Sequence, residues 1–141
     1  MQFTKPTEHM FLLVFNQGEQ FMSTLQDFCV THQIENAHFS GIGAVKDLTC
    51  GYYDLTKREY HFSKYPELVE VVSVTGNIMQ KDNTPTVHAH GVFTDTNNQA
   101  FGGHIEGMTI GVTLEVTLQQ FTTNLYRSYD ENTGLYLIDS N

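Results

Sequence analysis

The chain has no tryptophan, two cysteines, three prolines and only two arginines in 141 residues. Each shortage excludes something. Cys29 and Cys50 form neither a CxxC pair nor the framework of a disulfide scaffold, so both read as buried thiols in a reducing cytoplasm. No basic segment followed by an apolar one opens the chain, and no apolar run approaches the about 20 residues of a membrane helix. The longest, Met10 to Phe15, has the length of a strand. A protein free of membrane contacts and cytoplasmic is expected. The cationic side chains are scarcest relative to need: seven Lys plus Arg stand against sixteen Asp plus Glu, giving a net charge of −9 and a pI near 5.0. A surface that tracks phosphates needs clustered Lys and Arg, so nucleic acid is not expected as a partner for this chain alone. What is abundant is core material, 40% hydrophobic and 12% aromatic, enough for a single domain over residues 1–141.

Periodicity gives the elements. Glu8 to Phe15 is almost continuously apolar and reads as a strand covered on both faces or paired to a central strand. Phe21, Leu25, Phe28 and His32, widened by Met22 and Cys29, recur at helical spacing and predict the one main helix, ending near His32 to Ile34. Segments 37–54, 59–63, 69–79, 86–94, 100–107 and 109–118 complete about seven strands. In the last, Ile110, Val112, Leu114, Val116 and Leu118 alternate with polar residues. The tail, 122–141, is expected to pack back on the domain. The fold class is α+β, a curved, mostly antiparallel sheet or open barrel with one helix packed against it.

Seven histidines equal the whole Lys plus Arg count. His88 and His90, one residue apart in a strand, point to the same face, and His104 follows a turn and a Gly102-Gly103 pair that can bring it back on the adjacent strand. Three imidazoles with an open fourth position describe a catalytic zinc geometry, so a zinc or other divalent metal site is one reading. A solvated strand face, or core histidines satisfied by carbonyls, is the other. His9, His32, His38 and His61 stand in unrelated settings and need no function.

A base is the next requirement of a reactive site. Glu70 shares strand parity with Leu68, Val72 and Val74 and is read as pointing toward an apolar face, which makes it the leading candidate catalytic residue. Glu106, two residues past His104, and Glu115, on the threonine face of its strand, are weaker candidates. Gly41-Ile42-Gly43 lacks the third glycine and following helix of a dinucleotide fingerprint, there is no Walker lysine, and neither Ser40 nor Ser73 sits in a nucleophile elbow.

Ser40-Gly41-Ile42-Gly43-Ala44-Val45, Gly51-Tyr52-Tyr53-Asp54, Glu70 to Ile78, Pro85 to His90 and Gly102-Gly103-His104 together resemble the PPC (or PCC) domain family, in that family's order, over about residues 8 to 121. The resemblance implies the curved sheet with one helix and assembly into a homotrimer. Free-standing microbial members look like metal proteins, and the histidines that match their motif are His88, His90 and His104. The fold is also similar to that of acetolactate decarboxylase, a zinc enzyme, which implies lyase chemistry on a small molecule. Plant relatives bind the DNA minor groove through a separate Arg-Gly-Arg-Pro arm that this chain does not contain. Three functions follow as expectations: a metal-binding protein acting on a small-molecule ligand, a trimeric interaction or DNA-binding regulatory module, and a small-molecule sensor. The arginine many members carry in the first strand is missing between Phe11 and Asn16.

Overall fold

In the computed structural model, which describes residues 1–139, nine strands and one helix run in the order β1 (Gln2–Thr7), β2 (Met10–Asn16), α1 (Phe21–Thr31), β3 (Ala37–Asp54), β4 (Glu59–Tyr65), β5 (Val69–Lys81), β6 (Thr84–Thr94), β7 (Ala100–Gln120), β8 (Tyr126–Asp130) and β9 (Leu135–Asp139). Residues 140 and 141, the end of the tail and domain read from the sequence, lie outside the described residues. The class is α+β, as expected. The strand count is higher than about seven because β1 and the tail hairpin β8–β9 were not anticipated, while segments 100–107 and 109–118 are one continuous strand.

Length explains the topology. β3 and β7 are long enough to change partners along their course: β3 pairs with β5 over its first half and β4 over its second, while β7 pairs with β6, β3 and β2. Because β5 also pairs with β6, the strands β3, β5, β6 and β7 close on one another and leave few free edges. The ladders are antiparallel except for a single parallel pair, Gln80 with Tyr126, which attaches the tail.

The helix buries Phe21, Leu25, Phe28 and Cys29 and lies against β6 and β7. It ends where the periodicity stops, with the His32 amide donating to the Phe28 carbonyl at 3.0 Å. Under it sit Phe15, Phe39, Phe93, Leu13, Leu114 and Leu118, all essentially solvent-free. Of its two expected settings β2 takes the second, pairing with the central strand β7 and not being covered on both faces: Phe11, Leu13 and Phe15 face this core, whereas Leu12 and Val14 are exposed on the opposite side of the sheet. A register shift between Gly43 and Val45 opposite Ile110 to Leu114 likewise turns Val112 outward, out of the expected apolar row.

The tail is tied down by hydrogen bonds to polar residues, one of them buried. Asn36, almost fully buried, accepts the Leu125 amide on Oδ1 at 3.1 Å and the Phe121 amide on its carbonyl at 2.9 Å. The Tyr53 hydroxyl donates to the Thr133 carbonyl at 2.8 Å, and Arg58 donates to the Asn132 carbonyl at 3.3 Å. These bonds, with the Gln80–Tyr126 pair, lay β8–β9 against the end of β5 and the β3–β4 turn.

A candidate metal centre beneath the tail hairpin

Strand parity puts Ala89 and Phe93 in the core, fully buried, and leaves His88 and His90 on the other face of β6. Across the β6–β7 ladder His90 stands directly opposite His104. The three imidazoles meet: their ring centroids are 5.2 to 5.3 Å apart, and one ligating nitrogen from each lies within 4.8 Å of the other two. This is the one such group among the described residues.

Two glycines allow the approach. Gly102 faces Val92 next to Gly91, whose carbonyl would stand 2.1 Å from any Cβ added at Gly102, so the strand carrying His104 can close on β6. Gly51 on β3 lies between Phe62 on β4 and His104 on β7 in register. With no side chain there, Tyr60 covers the His104 ring at 4.6 Å and Phe62 flanks it at 6.3 Å.

The protonation states suit a metal. Burial, then the Arg127 guanidinium and the two neighbouring imidazoles, push His88 down to about 4, and burial with His90 and Arg127 lowers His104. Both are therefore neutral at physiological pH, the form that donates a lone pair. The Nδ1 of His104 is shut off from solvent and has no hydrogen-bond partner. Such an orphan in a cluster of three imidazoles fits a bound ion. Burial, Tyr53 and Glu106 raise the Tyr60 phenol, which remains a neutral hydrogen-bond donor.

Arg127, from β8, is the site residue the sequence reading missed. Its Nη2 donates to Asn77 Oδ1 at 2.7 Å and lies 3.1 Å from His88 Nδ1, while Nη1 donates to the Tyr136 carbonyl at 2.9 Å. A guanidinium offers only donors, so His88 Nδ1 meets it as an acceptor.

Glu70 does not join the cluster. It pairs with Thr94 and Ala44, four residues along β6 from His90, about 13 Å away at strand rise. The reading of an apolar environment is corrected as well: β5 bulges between Val71 and Ser73, so Val74 turns into the core while Glu70 and Val72 stay exposed. Glu106 is the carboxylate nearer the site, on the face of β7 that carries His104 and close enough to act on Tyr60. Glu115 lies on the outer face near Ile42, away from the histidines. Of the other histidines, His32 packs on Phe28 and Phe3, His38 contacts Thr75, His61 lies beside Asp54 and Glu59, and His9 is near Glu8.

Among curated proteins none matches. A metal-containing protein of Archaeoglobus fulgidus is 31% identical, with a TM-score of 0.84 over 97% of each chain. A plant- and prokaryote-conserved protein of Pyrococcus horikoshii is 28% identical, with a TM-score of 0.89 over 99% of this chain and 96% of that one. A protein of Ralstonia eutropha whose given name proposes DNA binding is 29% identical, with a TM-score of 0.89 over 99% of this chain and 96% of that one. Residues 2–122 match the profile of one family, and the chain belongs to it: the Plants and Prokaryotes Conserved (PCC) domain.

Proposed function

We propose that this PCC-domain protein holds one divalent ion on His88, His90 and His104, zinc by the preference of three imidazoles, and presents it to a small-molecule ligand. The observation that carries the reading is the convergence of three imidazoles, two of them held neutral by burial, in a cluster that leaves the Nδ1 of His104 unpartnered. The similarity to a metal-containing archaeal protein supports it. When bound, the ion supplies Lewis acidity. The chain's own contribution is to orient His88 through Arg127 and Asn77, to exclude water from His104 with the Tyr60 ring, and to keep a phenolic proton at Tyr60. In the enzyme form of this reading the reaction is a lyase or decarboxylase step on a small molecule; in the sensor form the same pocket binds without turnover.

The same proposal places the protein in the cytoplasm as a homotrimer. Leu12, Val14, Ile42, Val72, Val92 and Val112 are exposed, several of them around a groove of about 460 Å³ on the face opposite the helix. An apolar surface of this extent favours a subunit contact. Val92 also borders the groove beside His90, which supports a metal position near the subunit boundary.

DNA binding is the second reading, favoured by the names of similar proteins and opposed by the charge of −9. The deciding experiment is metal analysis of protein purified without a histidine tag, about one divalent ion per chain that His88→Ala removes. Sub-stoichiometric metal unchanged by His88→Ala overturns the proposal. A gel shift that persists at about 150 mM salt would establish the DNA reading instead.

A further inference from the structure

A neutral imidazole has one ring nitrogen that accepts, and in His88 that nitrogen is already engaged. Nδ1 accepts from Arg127 Nη2 at 3.1 Å, so the ring proton sits on Nε2. An ion that takes Nδ1 competes for the lone pair the guanidinium holds. An ion that takes Nε2 sends the ring proton across to Nδ1, which then sets N–H against N–H, because a guanidinium cannot accept. No proton is gained or lost by either route, and by either route the Arg127–His88 bond has to break. Charge acts in the same direction, since a dication on His88, His90 and His104 repels the half-buried guanidinium.

The element that carries Arg127 is lightly held. No residue of β8 or β9 is fully buried, and Tyr126, Tyr129, Leu137 and Ile138 are exposed. Its contacts with the rest of the fold include the Gln80–Tyr126 pair, the Tyr53 and Arg58 bonds at its turn, and Lys81 Nζ 3.7 Å from the centre of the Tyr136 ring. A two-stranded hairpin has marginal stability alone, so such contacts set how readily it opens. Those of Arg127, to Asn77 Oδ1 at 2.7 Å and to His88, end at the histidine cluster.

We propose that the tail hairpin is a strap latched to the histidine cluster by the Arg127–His88 bond, and that a metal ion and this latch exclude each other. The coupling rests on the metal reading above and adds its regulation: an entering ion unlatches β8–β9, and the latched hairpin weakens the ion by the same factor. The bond that orients His88 in the metal-free chain is thus the one that ion entry removes.

The test uses the full chain and zinc, read by calorimetric titration against a competing chelator and by amide hydrogen exchange. Arg127→Met keeps a long side chain and removes every donor, and it should bind zinc about tenfold more tightly than the unaltered chain. In the unaltered chain zinc should speed exchange across residues 126–139 about tenfold, without speeding it in β6 and β7. The exchange measurement needs no variant and decides the matter if Arg127→Met does not fold. Zinc affinity in folded Arg127→Met equal to or weaker than in the unaltered chain overturns the latch, as does hairpin exchange that zinc slows or leaves unchanged. Either result leaves the metal reading standing. Failure of both the unaltered chain and Arg127→Met to take zinc overturns the metal reading and the latch with it.

Discussion

Gly51 on β3 and His104 on β7 stand directly opposite one another, and the missing side chain at Gly51 lets the β4 backbone at His61 and Phe62 come close, on the strand whose Tyr60 and Phe62 rings lie beside the imidazole. A Cβ at position 51 would stand 1.9 Å from the His61 carbonyl oxygen, a backbone atom that cannot rotate away. Gly51→Ala therefore forces β3 and β4 apart. The expected loss is about 1–3 kcal/mol, the range for overpacking. Urea denaturation checks the cost, and the same variant should bind its metal more weakly because Tyr60 no longer covers His104.

If three imidazoles hold an ion in the folded state alone, metal stabilises by mass action. Free zinc at 100 times its dissociation constant adds about 2.7 kcal/mol. At about 2–4 °C per kcal/mol for a domain of this size, chelation should lower the melting temperature by roughly 5–10 °C. His90→Ala should show no response to chelator. Scanning calorimetry with and without a chelator measures both.

How much of this was legible in the sequence depends on the range of the contact. His88 and His90 needed only the two-residue repeat of a strand, and His104 needed one hairpin return, so local rules found the cluster. Glu70 was misplaced because a bulge at Val72 reverses parity, and a run such as Val-Glu-Val-Val-Ser-Val shows no sign of where an extra residue sits. Val112 was misplaced for the same reason. Arg127 meets His88 across 39 positions, through a hairpin whose docking is set by Asn36 and Gln80 rather than by any pattern around Arg127 itself. Its one available signal was compositional: a rare arginine within an otherwise acidic, tyrosine-flanked tail.

Asn36 is the lever on that hairpin. Replacing it by alanine removes the acceptor of the Leu125 amide and leaves that group unpaired, at a cost of about 1–3 kcal/mol. The tail should loosen before the domain does. Trypsin cleavage after Arg127, slow in the native protein, is expected to accelerate at least tenfold in Asn36→Ala. An unchanged cleavage rate would show that β8–β9 is held by its other contacts alone.

Cys29 is fully buried on α1, and burial pushes its thiol up to about 12 from an ordinary value of 9.0. The folded chain thus keeps the proton while the unfolded chain releases it above about 9. Between about 9 and about 12 the unfolded state binds fewer protons, so this group makes stability fall as pH rises. Below 9 it contributes no pH dependence. Denaturation midpoints at pH 8 and pH 10 should differ in that direction, with a smaller difference in Cys29→Ala. At pH 8 the native thiol should react with a disulfide reagent only as fast as the domain opens, and at once in denaturant.

The outer face of the sheet gives the last prediction. Ile42 is 59% exposed in the single chain and sits among Leu12, Val14 and Ser73 on the face away from α1. Ile42→Asp leaves the core untouched, since the Ile42 side chain stands on the exposed face of the sheet and is not part of the buried core. Its effect falls on whatever that face contacts, because a carboxylate moved from water into an apolar contact is expensive to bury unpaired. Light scattering behind a sizing column should find the unaltered protein as a trimer and Ile42→Asp shifted toward the monomer, with its far-ultraviolet spectrum preserved. If His90 lies at the subunit boundary, the monomeric variant should also bind metal more weakly than the trimer, whereas Gly51→Ala would weaken metal without changing the assembly. A monomeric unaltered protein at micromolar concentration would refute the subunit contact and leave the histidine cluster as a site complete within one chain.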